Sequence, residues 1–223
     1  GVDGALLYFR SLDGGNTWGI NGEFIPGLDS SNYKSMSGDS YTLQVKGSTV
    51  AVCYWGDITP TILAKSTDNG NTWTVTKVID HGFKYDAGSS STMGSIIGIS
   101  DINSDGVADT LESSDGAGAM VIDDNGMVHL SYGLMRYLDD TPGDDSWSYF
   151  PGTNGLMYWN ESMGDNEPVI IGYAKDLDGD GGIGGVAFSG TEFTGGEYFV
   201  SLSGMPHMAK DASGCIYVSY SAH

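Results

Sequence analysis

Apolar and polar residues alternate over short runs along most of the chain, and this pattern predicts β-strands. Val50, Val52 and Tyr54 show the period of two in one run, and the same alternation returns at 128–132 and 216–220. Turns rich in Gly, Asp, Asn and Ser separate the runs. No stretch carries the 3.6-residue period of an amphipathic helix. The sequence therefore predicts an all-β protein.

Two interleaved repeats organise these strands. The first is a hairpin, made of a strand, an Asp/Asn/Gly turn and a second strand that ends in Tyr, and it occurs at 37–54, 118–132 and 206–220. The second is eight residues long and reads Ser-x-Asp-x-Gly-Asn-Thr-Trp at 11–18 and 66–73, each time after a short apolar run. Together the two repeats predict a unit of four strands.

The fixed positions of the eight-residue repeat suit a tight turn between strands. The Asp can accept backbone N–H bonds, the Gly supplies a conformation that a Cβ would penalise, and the Ser and Thr hydroxyls can bond within the same turn. The Trp buries a large apolar surface. The residues predicted to build the two turns are Ser11, Asp13, Gly15, Thr17, Trp18, Ser66, Asp68, Gly70, Thr72 and Trp73.

This repeat resembles the Asp-box, the bacterial neuraminidase repeat of sialidase-like β-propellers. In that family the Asp-box is a structural turn away from the catalytic face, so the resemblance implies a fold and not an activity. A hairpin, a third strand, an Asp-box turn and a fourth strand make one propeller blade. The predicted units are a half blade at 1–25, a blade at 37–85, an enlarged blade at 114–200, a half blade at 204–223 and a calcium-loop insertion at about 86–117.

The enlarged blade has no Asp-box, and its third strand is expected at either 156–159 or 169–174. The chain holds about three blades' worth of sequence, whereas closed propellers typically have about four to eight. Three explanations compete: a piece of a longer protein, a half-propeller completed by a second copy, or an arrangement of two sheets. The chain begins inside a strand pair, which favours the first.

Residues 101–112 match the twelve-residue calcium loop D-x-[DN]-x-[DN]-G-x₅-E at every fixed position. Oxygens from positions 1, 3, 5, 7 and 9 converge, the final Glu closes the shell, and Gly106 permits the sharp turn. Such hard oxygen ligands suit Ca²⁺ better than a transition metal. Because the flanks lack helical character, and 113–118 is expected to be a loop, we predict a loop between strands with no helix pair. The alternative is a solvated acidic loop. The predicted ligands are Asp101, Asn103, Asp105, Val107, Asp109 and Glu112.

A second, incomplete loop spans 176–183 and resembles the calcium loops of dockerins and extracellular adhesive repeats. Its closing acid is missing, because Ala187 stands at position 12, so Glu192 or water would complete the shell. Extracellular calcium is high enough to fill sites with Kd of about 10⁻⁴–10⁻³ M, which favours secretion or surface display. The predicted ligands are Asp176, Asp178, Asp180 and Gly182.

The net charge of −20 argues against nucleic acid or an anionic membrane surface as a partner, since either needs a basic patch. No targeting signal or transmembrane run is visible, so direct membrane insertion is not expected. Cys53 and Cys215 lie in separate strand-like runs, and both are expected to be buried thiols in preference to a disulfide.

Aromatic residues follow an acidic segment at 138–147 that is expected to be a solvated turn. Exposed rings beside acidic and amide groups could form a sugar-binding face, because an apolar body with a polar tip suits stacking. Trp159 is expected to pack between blades instead. The candidates are Trp147, Tyr149, Phe150, Tyr158 and Trp159.

The resemblance also implies how a sialidase would act, with three arginines on the substrate carboxylate, a Tyr nucleophile, and Glu and Asp as partners. This chain has only Arg10 and Arg136, and Lys is a poor replacement for the planar Arg fork. No catalytic residue is therefore assigned. We expect a secreted or cell-surface calcium-binding module for binding, adhesion or scaffolding, with a glycan or a protein as its ligand. The alternative is a fragment of a sialidase-like glycoside hydrolase whose catalytic residues lie elsewhere.

Overall fold

The computed structural model of the chain is all-β and confirms the predicted fold class at that level. Its sheets are antiparallel, and none of those described closes on itself. The structure describes residues 5–29, 33, 38–82, 99–141, 146–164, 167–177, 179, 183 and 200–222, and the backbone of 187–189 and 192–194.

A two-stranded hairpin and a four-stranded sheet come first along the chain. The hairpin pairs β1 (Leu7–Arg10) with β2 (Ile20–Phe24). The first sheet contains β3 (Tyr41–Lys46), β4 (Thr49–Tyr54), β5 (Thr61–Ser66) and β6 (Thr74–Ile79), in the order β3-β4-β5-β6. Each strand of this sheet therefore pairs with the next one along the chain.

The second sheet repeats this topology with a longer first hairpin. It contains β7 (Leu111–Ile122), β8 (Val128–Leu138), β10 (Leu156–Asn160) and β11 (Val169–Gly172), and a short β9 (Ser148–Phe150) pairs with the end of β8. A 3-10 turn at Glu161–Met163 follows β10. Two hairpins complete the described strands: β12 (Ala187–Ser189) with β13 (Glu192–Thr194), and β14 (Ser203–Lys210) with β15 (Ile216–Ala222). Both candidate third strands of the predicted enlarged blade thus lie in one sheet, as β10 and β11.

Apolar side chains on both faces of the first sheet pack it between two neighbours. One face of β4 and β5 packs against Tyr8 and Ile20 of the β1–β2 hairpin. The other face packs against Met120, Leu130 and Trp159 of the second sheet. The β14 strand then packs against β7 and β8. The packing order is therefore hairpin, first sheet, second sheet, hairpin.

A buried carboxylate lies where β7, β8 and β14 meet. Asp115 is buried, and its Oδ2 accepts bonds from the backbone N–H (3.1 Å) and hydroxyl (3.0 Å) of Ser201. A Cβ added to Gly133 of β8 or to Gly204 of β14 would come within 3.0 Å of this carboxylate. The two glycines therefore leave the space that Asp115 occupies. Burial raises the pKa of Asp115 to about 6, against the opposing effect of the bonds from Ser201.

Two expectations from the sequence are wrong. Residues 113–118 are not a loop, because β7 begins at Leu111 and runs through them with a bulge between Ser114 and Gly118. The strand therefore overlaps the end of the insertion expected at 86–117. Cys53 is buried as expected, but Cys215 is exposed. It follows a turn at the tip of the β14–β15 hairpin, where no element covers it among the described residues. Both thiols are free.

Candidate calcium loop and aromatic cleft

The first eight-residue repeat folds as a closed turn between β1 and β2. Asp13 accepts bonds from the backbone N–H (2.8 Å) and hydroxyl (2.6 Å) of Thr17. The hydroxyl of Ser11 donates to Asp13 (2.8 Å) and accepts from the N–H of Gly15 (2.7 Å). These bonds favour the ionised carboxylate, and the hydroxyl of Thr17 is the largest of the causes that lower the pKa of Asp13 to about 2.

The second repeat forms the same turn between β5 and β6. Asp68 accepts bonds from the N–H (2.9 Å) and hydroxyl (2.7 Å) of Thr72. The hydroxyl of Ser66 donates to Asp68 (2.7 Å) and accepts from the N–H of Gly70 (2.7 Å). The backbone bond from Thr72 is the largest cause that lowers the pKa of Asp68. In both copies the Ser, Asp, Gly and Thr are therefore engaged within the turn.

The second turn also contacts β1. Arg10 donates to the carbonyl of Asn69 and to the side chain of Asn71 (2.9 Å). The ring of Trp73 meets that of Tyr8 edge to face, with centroids 5.4 Å apart. Trp18, the matching residue of the first turn, is half exposed, and its ring centroid lies 6.5 Å from that of Phe9. Arg10 therefore holds the hairpin to the first sheet.

The carboxylates of the 101–112 motif accept backbone N–H bonds from within the loop. Asp101 accepts from the N–H of Asp105 (3.1 Å) with one oxygen and from that of Gly106 (2.8 Å) with the other. Asn103 accepts from Asp105 (2.9 Å), and Asp105 accepts from Val107 (2.8 Å). A carboxylate or amide oxygen has two lone pairs, so each of these oxygens keeps one lone pair with which it could ligate a cation.

The base of this loop is fixed to the end of β8. Asp109 accepts a bond from the N–H of Ile102 (3.0 Å), which closes the loop across its width. The hydroxyl of Ser100 donates to the carbonyl of Asp109 (2.7 Å), and its N–H donates to the carbonyl of Asp139 (2.8 Å). These bonds anchor the base of the loop to the end of β8.

Glu112, the predicted closing ligand, lies on β7 opposite Arg136 of β8. Its carboxylate accepts bonds from Nε (3.0 Å) and Nη2 (2.7 Å) of Arg136. Within the described part of the chain, no three His, Cys, Asp or Glu side chains are grouped so that they could hold a metal ion. Positions 1 to 9 of the loop match calcium ligands by residue type, but the described structure does not group their carboxylates around one point, and Glu112 is bonded to Arg136.

Only part of the second predicted calcium loop can be placed. Asp176 accepts a bond from the N–H of Gly179 (2.6 Å). The other predicted ligands, Asp178, Asp180 and Gly182, lie outside the described residues.

Three of the five candidate aromatic residues lie on β9 or directly before it. Tyr149 and Phe150 line a cleft of about 430 Å³, and Pro151 and Gly152 complete the lining that the structure describes. Phe150 is 40% exposed, and Trp147 packs with Tyr149 against the cluster beneath. The Pro-Gly pair was not among the predicted site residues, although this dipeptide is a turn signal in the sequence.

The other two aromatic candidates lie elsewhere. Tyr158 bonds through its hydroxyl to Nδ1 of His129 (2.7 Å). Trp159 is buried between the two large sheets, where the sequence analysis expected it to pack. Neither residue lines the described cleft.

An ion-pair bridge joins the turns of three hairpins. Asp124, in the turn between β7 and β8, pairs with Lys210 at the end of β14 (2.7 Å) and with Lys46 at the end of β3. Hydrogen bonds from Lys210, which has the larger effect, and from Lys46 lower the pKa of Asp124 to about 2. The bridge joins the C-terminal ends of β3, β7 and β14, and β7 contacts both of the other strands.

No protein-family model, curated protein or solved structure matches this chain. Among the described residues, no helix combines the length and the apolar character needed to cross a membrane. The turns, the 101–112 loop and the aromatic cleft are therefore the features from which a function can be inferred.

Proposed function

We propose that the chain is a portion of a sialidase-like β-propeller, secreted or displayed at the cell surface, that binds calcium and recognises a carbohydrate. The propeller is supported by the matching topology of the two sheets and by the two half sheets that flank them. The Asp124 bridge places the first strands of three such units side by side, as the inner strands of neighbouring blades would be. A module of this kind would serve in binding, adhesion or scaffolding.

The aromatic cleft is the observation that carries the binding function. Sugars present apolar C–H faces that stack on aromatic rings, and Phe150 offers an exposed ring within a concave surface. Because the chain carries a net charge of −20, it would repel polyanionic glycans. The expected ligand is therefore a neutral oligosaccharide.

Replacing Phe150 with alanine is expected to weaken glycan binding by roughly two- to twelvefold, because one stacking ring contributes roughly 0.5–1.5 kcal/mol. An array of neutral and anionic glycans would identify a ligand, and calorimetry would compare the variants. Phe24→Ala is the matched control, since Phe24 is also exposed but lies on β2. Equal affinity of Phe150→Ala and the wild type, or an array without signal, would contradict the cleft as the binding site.

Calcium binding is supported by the match of 101–112 to the calcium motif and by the bonds through which Asp101, at position 1, closes the loop over the N–H groups of Asp105 and Gly106. Donors at positions 1 to 9 would come from Asp101, Asn103, Asp105, Asp109 and the carbonyl of Val107. Glu112 would complete the shell in exchange for its bond to Arg136. The bound ion would offset the repulsion among these acids and stabilise the loop.

The competition at Glu112 leads to a test by calcium calorimetry. Glu112→Ala is expected to lower calcium affinity at least about tenfold, since it removes a bidentate ligand. Arg136→Gln is expected to raise the affinity, because it frees Glu112. In the Glu112→Ala background the same change should have a smaller effect, since the two residues are coupled. Asp105→Ala removes another predicted ligand of this loop, so the part of the calcium-binding heat that it abolishes is assigned to this loop. Unchanged affinity in Glu112→Ala would show that Glu112 is not a ligand.

The two arginines favour a binding module over a hydrolase. Arg10 is bonded to Asn69 and Asn71, and Arg136 is bonded to Glu112, so both serve contacts within the chain. The sequence contains no other arginine with which to clamp a substrate carboxylate. Release of the fluorophore from a sialoside by the purified chain would contradict this assignment.

A further inference from the structure

A row of three side chains crosses β7, β8 and β9 beside the aromatic cleft. Glu112 of β7 lies opposite Arg136 of β8, and Arg136 lies opposite Phe150 of β9. Residues that are directly opposite on neighbouring antiparallel strands project from the same face of a sheet. Since neighbouring strands are about 4.8 Å apart, the row is roughly 10 Å long. The exposed ring of the cleft therefore has an ion pair next to it on the same face.

All three side chains of this outer row (Glu112, Arg136 and Phe150) are open to solvent. Both members of the ion pair have about half of their side-chain surface exposed. The neighbouring row on the same strands packs into the cluster around Ile58 instead, and it consists of Leu111, Tyr137 and Tyr149. The neighbouring row therefore holds the strands to the core, which leaves the outer row available to a ligand.

A turn fixes Phe150 beside Arg136 before any ligand binds. The backbone N–H (3.0 Å) and the hydroxyl (2.6 Å) of Thr153 both donate to the carbonyl of Phe150. The same hydroxyl accepts a bond from the backbone N–H of Arg136 (3.2 Å), and Thr153 is buried. Because these bonds already order the backbone of the cleft, binding does not incur the entropic cost of ordering it.

The ion pair offers both kinds of hydrogen-bonding partner that a neutral sugar needs. Nε and Nη2 of Arg136 donate to Oε1 of Glu112, and among the described residues Nη1 and Oε2 have no hydrogen-bond partner. A guanidinium only donates and a carboxylate only accepts, whereas each hydroxyl of a sugar does both. Two neighbouring hydroxyls therefore match the pair. The carboxylate of an acidic sugar only accepts, and the charge of Glu112 would repel it.

We propose that the outer row is a subsite for one neutral hexose ring with neighbouring hydroxyl groups, and that Glu112 sets its specificity. The apolar face of the sugar stacks on Phe150, and its hydroxyls bond to Arg136 and Glu112. Glu112 also neutralises the guanidinium, so the row excludes acidic sugars that a lone arginine would attract. The inference rests on the proposed function of the aromatic cleft, and it names the class of sugar and the residues that select it.

Calorimetry with a matched pair of sugars tests the subsite. The probes are the hexose oligosaccharide with the highest array signal and the oligosaccharide of the corresponding hexuronic acid, with a chelator present so that calcium does not compete for Glu112. Arg136→Gln is expected to weaken binding of the neutral probe about tenfold, because it removes hydrogen bonds from a charged donor. Glu112→Gln is expected to strengthen binding of the acidic probe at least about tenfold, since the released guanidinium fork matches a carboxylate. A purely structural ion pair would leave the preference between the two probes unchanged.

Two variants at the other end of β7 serve as controls. Asp124→Asn and Lys46→Gln make the same changes in net charge within another ion pair, so both are expected to keep the wild-type preference for the neutral probe. A wild-type chain that prefers the acidic probe, or an unchanged preference in Glu112→Gln, would overturn the subsite. So would neutral binding that is weakened in Phe150→Ala but unchanged in Arg136→Gln, although the proposed function would then stand. A wild-type chain without any array signal would contradict the proposed function itself, and the subsite with it.

Discussion

Gly133→Ala is expected to destabilise the chain by about 3 kcal/mol or more. The added Cβ would come within 3.0 Å of the carboxylate of Asp115 and the hydroxyl of Ser201, which bond to each other. Asp115 is buried and its side chain is short, so the clash cannot be relieved by moving the far end of a long, flexible side chain. The variant therefore combines overpacking with the loss of buried hydrogen bonds.

Urea unfolding followed by tryptophan fluorescence would measure this loss. Gly19→Ala is the matched control, because no atom lies within 4 Å of the position of its Cβ. Its free energy of unfolding is expected to stay within about 0.5 kcal/mol of the wild type. Similar midpoints for the two variants would mean that the packing around Asp115 is looser than described.

Asp115 is expected to make the chain less stable as pH rises from about 4 to 6. Its pKa is raised to about 6 in the folded chain, from an ordinary value of 3.8. Between these values the folded state binds more protons than the unfolded state, so stability falls with rising pH. The shift corresponds to about 3 kcal/mol of lost stability at neutral pH.

Asp115→Asn is expected to flatten this dependence, because the amide keeps an acceptor for Ser201 and never ionises. Thermal unfolding at pH 4, 5, 6 and 7, with a chelator present, would compare it with the wild type. Asp124→Asn serves as the control, since Asp124 has a pKa of about 2 and stays charged throughout this range. If Asp115→Asn and the wild type keep the same slope, the buried carboxylate does not control the pH response.

The strands and turns were predictable because their signals are local and repeated. The period of two at 50–54, 128–132 and 216–220 falls in β4, β8 and β15. The hydrogen bonds of Asp13 and Asp68 are formed by residues within each eight-residue motif. Neither feature depends on a distant part of the chain, so sequence patterns were sufficient.

The candidate site was less predictable because it depends on the register between distant residues. Glu112 fits the calcium motif, yet its pairing with Arg136 follows from the alignment of β7 with β8 beyond a bulge. The bulge lies in a Ser/Asp/Gly stretch, whose composition suggested a loop. The exposure of Cys215 likewise depends on what covers the β14–β15 hairpin, and no local pattern encodes that.

The packing order of hairpin, sheet, sheet and hairpin has a consequence for how such genes change in length. Each sheet presents one face to the unit before it and the other to the unit after it. A tandem duplication of one unit would therefore add a sheet whose faces already match its neighbours. The two eight-residue turns start at Ser11 and Ser66, 55 positions apart. Related genes are thus expected to differ by whole units, with coding lengths that change by the length of the unit that is duplicated.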